Sequence, residues 1–219
     1  MRCAAGYSRA EEIASSLLHG IGLALSLLAL AVLVTFAALH GDVRRVISFS
    51  IYGTTLALLY FSSTMYHGTR SAKTKRIFRV LDHSAIFLLI AGSYTPFTLV
   101  KLGGGWGWSL FGIVWGLAVL GICLEVFRCN RTRPKWPSMV LYVGMGWLMI
   151  VAAKPLAAAV PTGGLVWLGI GGLAYTSGLL FYAWKRLPFS HSIWHLFVLA
   201  GSACHFLSIF LYVLPMKGA

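Results

Sequence analysis

The stretch SSLLHGIGLALSLLALAVLVTFAAL, residues 15–39, decides the fold. It is an apolar run of about 25 residues, enough for one helix to cross about 30 Å of hydrocarbon. It begins too far into the chain and runs too long for the apolar core of a secretory signal, so it is expected to remain as a span. Six more apolar runs follow, broken by charge, Pro and Gly. They cover residues 46–67, 82–100, 106–126, 137–153, 163–184 and 191–214. The fifth is the shortest.

Composition points the same way. Of 219 residues, 58% are hydrophobic and 11% charged, and the mean hydropathy is +0.81. So few charges cannot coat a soluble domain of this size. Spans of about 20 residues use roughly two thirds of the chain and leave only short loops. The expected fold is all-α: one seven-transmembrane helix bundle over residues 15–214, between an N-terminal segment 1–14 and a tail 215–219.

A net charge of +13 would suit nucleic acid if it formed one patch. Instead Lys and Arg sit in clusters between spans, with no basic recognition helix and no aromatic stacking motif, so nucleic acid is not an expected partner. Arg2 and Arg9, then Arg70, Lys73, Lys75, Arg76 and Arg79, then Arg128, Arg131, Arg133 and Lys135, then Lys185 and Arg186 fall on one side of a seven-span chain. Arg44, Arg45, Lys101, Lys154 and Lys217 fall on the other. The positive-inside rule then places the N-terminus in the cytoplasm and the C-terminus outside. The basic loops are expected to meet anionic lipid headgroups. Trp106, Trp108, Trp136 and Trp184 lie near span ends, where aromatic rings anchor at the interface. Glycines such as Gly112, Gly116, Gly121, Gly169, Gly171 and Gly172 suggest close helix packing. Cys3, Cys123, Cys129 and Cys204 form no CxxC pair and read as free thiols.

Ionisable groups in or beside spans are costly and therefore candidates for function. His67 closes the second run, Asp82 opens the third, and His191 and His195 open the seventh. Counting crossings returns all four to the cytoplasmic layer. His191 and His195 are i and i+4, on one helix face, so two imidazoles can reach one metal. His67 supplies a third nitrogen. Three neutral histidines with an open fourth position form a catalytic-type zinc site, where a bound water is acidified. Asp82 would orient that water or take its proton, and Ser63, one turn before His67, would offer a hydroxyl. Each element also has a plainer reading: an isolated HxxxH, an interfacial His67, an Asp82 that neutralises Arg79 or caps its helix. His83 points about 100° away from Asp82. His205 lies about 15 Å deeper than His195 and is expected to bond between helices. Glu12 and His19 lie within reach of the layer, and Glu125 is expected to pair with Arg128.

Ser63-x-x-x-His67, Asp82 and His191-x-x-x-His195, with Glu12 to Gly20 at the start of the first span, resemble the hemolysin III family. That family is the bacterial branch of the progestin and adipoQ receptor superfamily, similar at greater distance to the alkaline ceramidases. An Asn is usual there where this chain has Ser15. The resemblance runs from about residue 10 to 214. It implies a seven-helix protein of the bacterial plasma membrane, Zn²⁺ held by His67, His191 and His195, Asp82 at the water and Ser63 nearby.

Three functions compete. One is a zinc-dependent hydrolase of membrane-lipid amides or esters, acting in lipid homeostasis. Another is a membrane sensor with a structural or regulatory zinc. A pore-forming cytolysin is the third, and it fits least, because a toxin must be soluble before it inserts. The sequence names no substrate and no oligomeric state.

Overall fold

The structure, a computed structural model, describes residues 7–128, 136–184 and 186–215. Arg2, Cys3, Cys129, Arg131, Arg133, Lys135, Lys185 and Lys217 lie outside the described residues, as does the Arg128 side chain. Eight α-helices are described: α1 Arg9–His40, α2 Val43–Gly68, α3 Ala72–Pro96, α4 Gly104–Arg128, α5 Trp136–Trp147, α6 Ala153–Ala159, α7 Thr162–Ala183 and α8 Ser190–Ser208. A 3₁₀ segment, Leu148–Ala152, joins α5 to α6 as one span, and π-helical turns extend α3 over Phe97–Leu102 and α8 over Ile209–Val213. The result is seven segments long and apolar enough to cross a membrane, and the chain is a multi-pass membrane protein.

The first helix is apolar outside and mostly small or polar inside. On α1 the buried face is Ser15, His19, Gly22, Ser26, Ala29, Leu33 and Ala37. Its exposed stripe is Leu17, Ile21, Leu25 and Leu28. Lipid is as apolar as leucine, so the helices are held by close packing and by hydrogen bonds, with small residues set against large buried rings such as Phe49, Tyr60 and Phe87. A Cβ at Gly22 would collide with the Tyr60 ring of α2, and one at Gly171 with the His205 ring of α8. Gly121 packs in the same way on Phe87. Gly112, Gly116 and Gly169 face open space, so for them the close-packing expectation fails.

Three spans differ from their sequence boundaries, each for a local reason. α1 starts earlier because Ser8 caps it, accepting from the Glu11 amide, with Glu11 and Glu12 in the first turn. α3 begins at Ala72, capped by Ser71. Its basic first turns therefore stand out of the apolar layer, and Asp82 is an interior helix residue, not a cap. The fifth span breaks at Trp147. The Tyr94 hydroxyl lies 2.6 Å from the Met145 carbonyl and 3.0 Å from that of Gly146, and accepts from the Met149 amide at 2.9 Å. One phenol thus serves the backbone groups that the break frees. Trp106, Trp108, Trp136 and Trp184 are all exposed, at or near helix ends. Cys123 and Cys204 are free.

The first turn of α1, the last turn of α2 and the first turn of α8 meet at one end of the bundle, where His67, His191 and His195 lie together. α1 packs between α2 and α8 there. Phe189, just before α8, has φ 56°, a strained conformation for a large side chain. It turns the chain from the α7–α8 connection into the helix that begins with His191.

Candidate metal centre

His67, His191 and His195 are all buried, and each offers a nitrogen within 4.8 Å of the others. The HxxxH spacing puts His191 and His195 on one face of α8, with ring centroids 4.5 Å apart. His67 meets them from the last turn of α2, 5.0 Å from each ring. Nε2 of His67 and Nε2 of His191 are 3.2 Å apart. Two ligands of one tetrahedral zinc, with bonds of about 2.0–2.1 Å, stand about 3.3 Å apart. Nε2 of His195 is buried with no hydrogen-bond partner among the described residues, a costly state for a polar atom unless it ligates.

The other nitrogen of each ring is engaged. Glu12 Oε2 lies 3.0 Å from Nδ1 of His67, and Lys75 Nζ holds the second oxygen of Glu12 at 2.8 Å. The Tyr7 hydroxyl is 3.2 Å from Nδ1 of His191, with the two rings stacked at 4.4 Å. His19 approaches Nδ1 of His195 with both ring nitrogens, Nδ1 at 2.8 Å and Nε2 at 2.5 Å. A proton on each Nδ1 leaves the Nε2 lone pair free for a cation, the tautomer a ligating histidine needs. Burial, then the neighbouring Tyr182, Tyr66, Glu11 and Glu12, pushes the Tyr7 phenol up, so it stays protonated. This donor set of three neutral imidazoles fits zinc or a similar divalent ion.

Glu11 anchors the frame. Its Oε1 accepts from the His191 backbone amide at 3.0 Å, serving one of the donors that every helix N-terminus leaves unpaired. The Ser192 hydroxyl donates to the Glu11 carbonyl at 3.2 Å and meets the Ser15 hydroxyl at 3.0 Å. Ser15 thus bonds to α8.

Asp82 is not among the mutually close ligand atoms. It lines a cavity of about 150 Å³ together with His19, His191 and His195. The rest of the wall is mostly apolar, with Leu89, Met139, Leu179 and Val198 from α3, α5, α7 and α8. Ser63 is fully buried one turn before His67, and its hydroxyl has no partner among the described residues. His205 is half-buried on α8, packs its ring against Gly171 and Tyr175 of α7 and stands outside the ligand group, as its depth implied. His83 Nδ1 turns back to the Arg79 carbonyl at 2.7 Å. Glu125 accepts from the Ser138 hydroxyl of α5; its expected partner, the Arg128 side chain, lies outside the described residues.

Tyr7 and Glu11 were not among the sequence candidates. The signal that would have found them is the polar stripe Tyr7, Glu11, Ser15 and His19, spaced by four into the start of α1.

A family model described as haemolysin-III related matches residues 7–206, which include every site residue named above. The protein called Hemolysin-3 of Bacillus cereus is 47% identical over 205 residues, 94% of this chain and 93% of that protein. The Hemolysin-3 homolog of Bacillus subtilis strain 168 is 48% identical over 202 residues, 92% of this chain and 94% of its own. The human monocyte to macrophage differentiation factor is 29% identical over 181 residues, 80% of this chain and 74% of its own.

Proposed function

The chain belongs to the haemolysin-III-related family, and from that premise we propose that it binds Zn²⁺ through His67, His191 and His195 and hydrolyses an amide or ester bond of a membrane lipid. Its role would then lie in membrane-lipid homeostasis. The observation that carries this reading is the convergence of three buried imidazoles beside a largely apolar cavity that also presents a carboxylate.

When bound, zinc supplies Lewis acidity toward a carbonyl and a nucleophile at neutral pH. The protein's own groups do the rest. Asp82, on the cavity wall, takes and returns a proton at its carboxylate oxygen. Ser63 Oγ, buried one turn before His67 and without a partner among the described residues, is the hydroxyl that would donate to an oxygen that gains negative charge. The apolar wall holds an acyl chain and keeps bulk water away from the bond that breaks.

The test is a lipid panel. Purified protein loaded with zinc, in nanodiscs of mixed lipids, should release fatty acid, and His191→Ala and Asp82→Ala proteins that still fold should not. Absence of release from a broad panel of amides and esters refutes the hydrolase reading.

A further inference from the structure

The first helix of this protein does more than span. Its first turns, with Tyr7 just ahead of them, lie against α2 on one side and α8 on the other, and their polar groups meet the histidines or the helix turns that carry them. Along one edge, spaced by four, run Tyr7 to Nδ1 of His191, Glu11 to the backbone amide of His191, Ser15 to Ser192, and His19 to Nδ1 of His195. Along the adjacent edge, Glu12 reaches Nδ1 of His67 and Ser16 donates to the Thr64 carbonyl at 3.2 Å. The three histidines come from α2 and α8, yet each is oriented by a residue from this one segment.

We propose that Tyr7, Glu12 and His19 are positioning residues of the metal centre, one for each ligand, and that α1 is the element that turns the three Nε2 atoms onto a common point. The inference rests on the metal reading above. A histidine without such a partner can rotate its ring or exchange the proton between its nitrogens, and in either case the ligand atom is lost for part of the time. An acceptor fixed at Nδ1 suppresses both and raises the basicity of Nε2. Glu12 is the strongest of the three because it is ionic, and Lys75 Nζ at 2.8 Å keeps its carboxylate in place. Tyr7 adds a stacked ring to its hydrogen bond, so it fixes the His191 ring plane as well as its proton. His19 packs edge-on against both His195, at 3.6 Å between centroids, and Tyr60, at 5.0 Å, and has little room to move.

The experiment uses the full chain, purified in detergent, with Glu12→Gln and Tyr7→Phe as the principal variants, because both keep the shape of the side chain. Zinc affinity is read by competition with a chromophoric chelator, and ligand geometry by the visible spectrum of the cobalt-substituted protein. Each variant is expected to bind zinc about 10–100-fold more weakly, with an altered cobalt spectrum and an unchanged melting temperature when metal-free. Glu12→Asp should recover part of the loss. Wild-type affinity and spectrum in both variants overturn the inference, as does an affinity loss matched by an equal loss of metal-free stability. Wild-type protein that binds no divalent metal overturns the metal reading itself, a result distinguishable from the other two.

Discussion

Nε2 of His191 stands 3.2 Å from Nε2 of His67, although the two residues are 124 positions apart in the chain. That spacing suits an N–H···N bond between neutral rings and equally suits two ligands of one ion. The Nε2 of His195, without a partner among the described residues, favours the second, because a hydrogen-bonded pair would leave it stranded. The protein is therefore expected to retain one zinc per chain through gel filtration, by elemental analysis. His67→Ala, His191→Ala and His195→Ala should each lose it. Zinc at 100 times its dissociation constant should stabilise the fold by about 2.7 kcal/mol. Full zinc retention in all three variants contradicts this site.

Asp82 shares the cavity wall with His191 and His195 but is not one of the mutually close ligand atoms. Asp82→Asn is expected to leave the zinc content intact and to slow lipid turnover by about 10²–10⁴-fold, the usual span for loss of a general acid or base. Parallel measurement of metal and turnover checks it. Loss of zinc in Asp82→Asn would make the carboxylate a ligand and remove it from the role proposed here.

The spans and the clustering of the three histidines were legible because two simple rules govern them. A span is an uninterrupted apolar run, and His191 and His195 share a helix face by spacing alone. The count of crossings then brought His67 to the same end. Less legible was whatever depends on contact between distant segments. Tyr7 and Glu11 lie ahead of the apolar run of span 1 and look like ordinary solvated residues until α8 is placed beside them. Nor does the sequence show the break at Trp147, which is stabilised by a hydroxyl from Tyr94 on another helix. Asp82 was read as the opening of a span, because hydropathy marks where lipid begins and not where the helix does. Glycines were read too uniformly, since a missing side chain records close approach at Gly171 but nothing at Gly169.

That difference between glycines gives a stability prediction. Gly171→Ala would force the His205 ring aside and Gly178→Ala would press on Phe197 and Trp194. Each should cost about 1–3 kcal/mol, the usual penalty of overpacking. Gly112→Ala and Gly169→Ala meet nothing, and should stabilise their helices by about 0.5–1 kcal/mol through the lost freedom of the unfolded chain. Melting temperatures of the four variants in one detergent check the order. Equal effects at all four positions would mean that α7 and α8 are not in the described contact.

Orientation is the remaining consequence of the charge pattern. The exposed Lys73, in the first turn of α3, lies in the basic stretch that follows the last turn of α2, the turn that carries His67. Exposed Arg44, in the first turn of α2, lies one span away. Cytoplasmic loops retain Lys and Arg, so Lys73 and the metal centre belong to the cytoplasmic face and Arg44 to the outer one. In a protein freed of native cysteines, Lys73→Cys should resist a membrane-impermeant maleimide in intact cells and react after lysis. Arg44→Cys should react in intact cells. The opposite pattern would invert the bundle and put the histidine site on the outer face, where the zinc it met would be extracellular and a cytoplasmic lipid substrate would be out of reach.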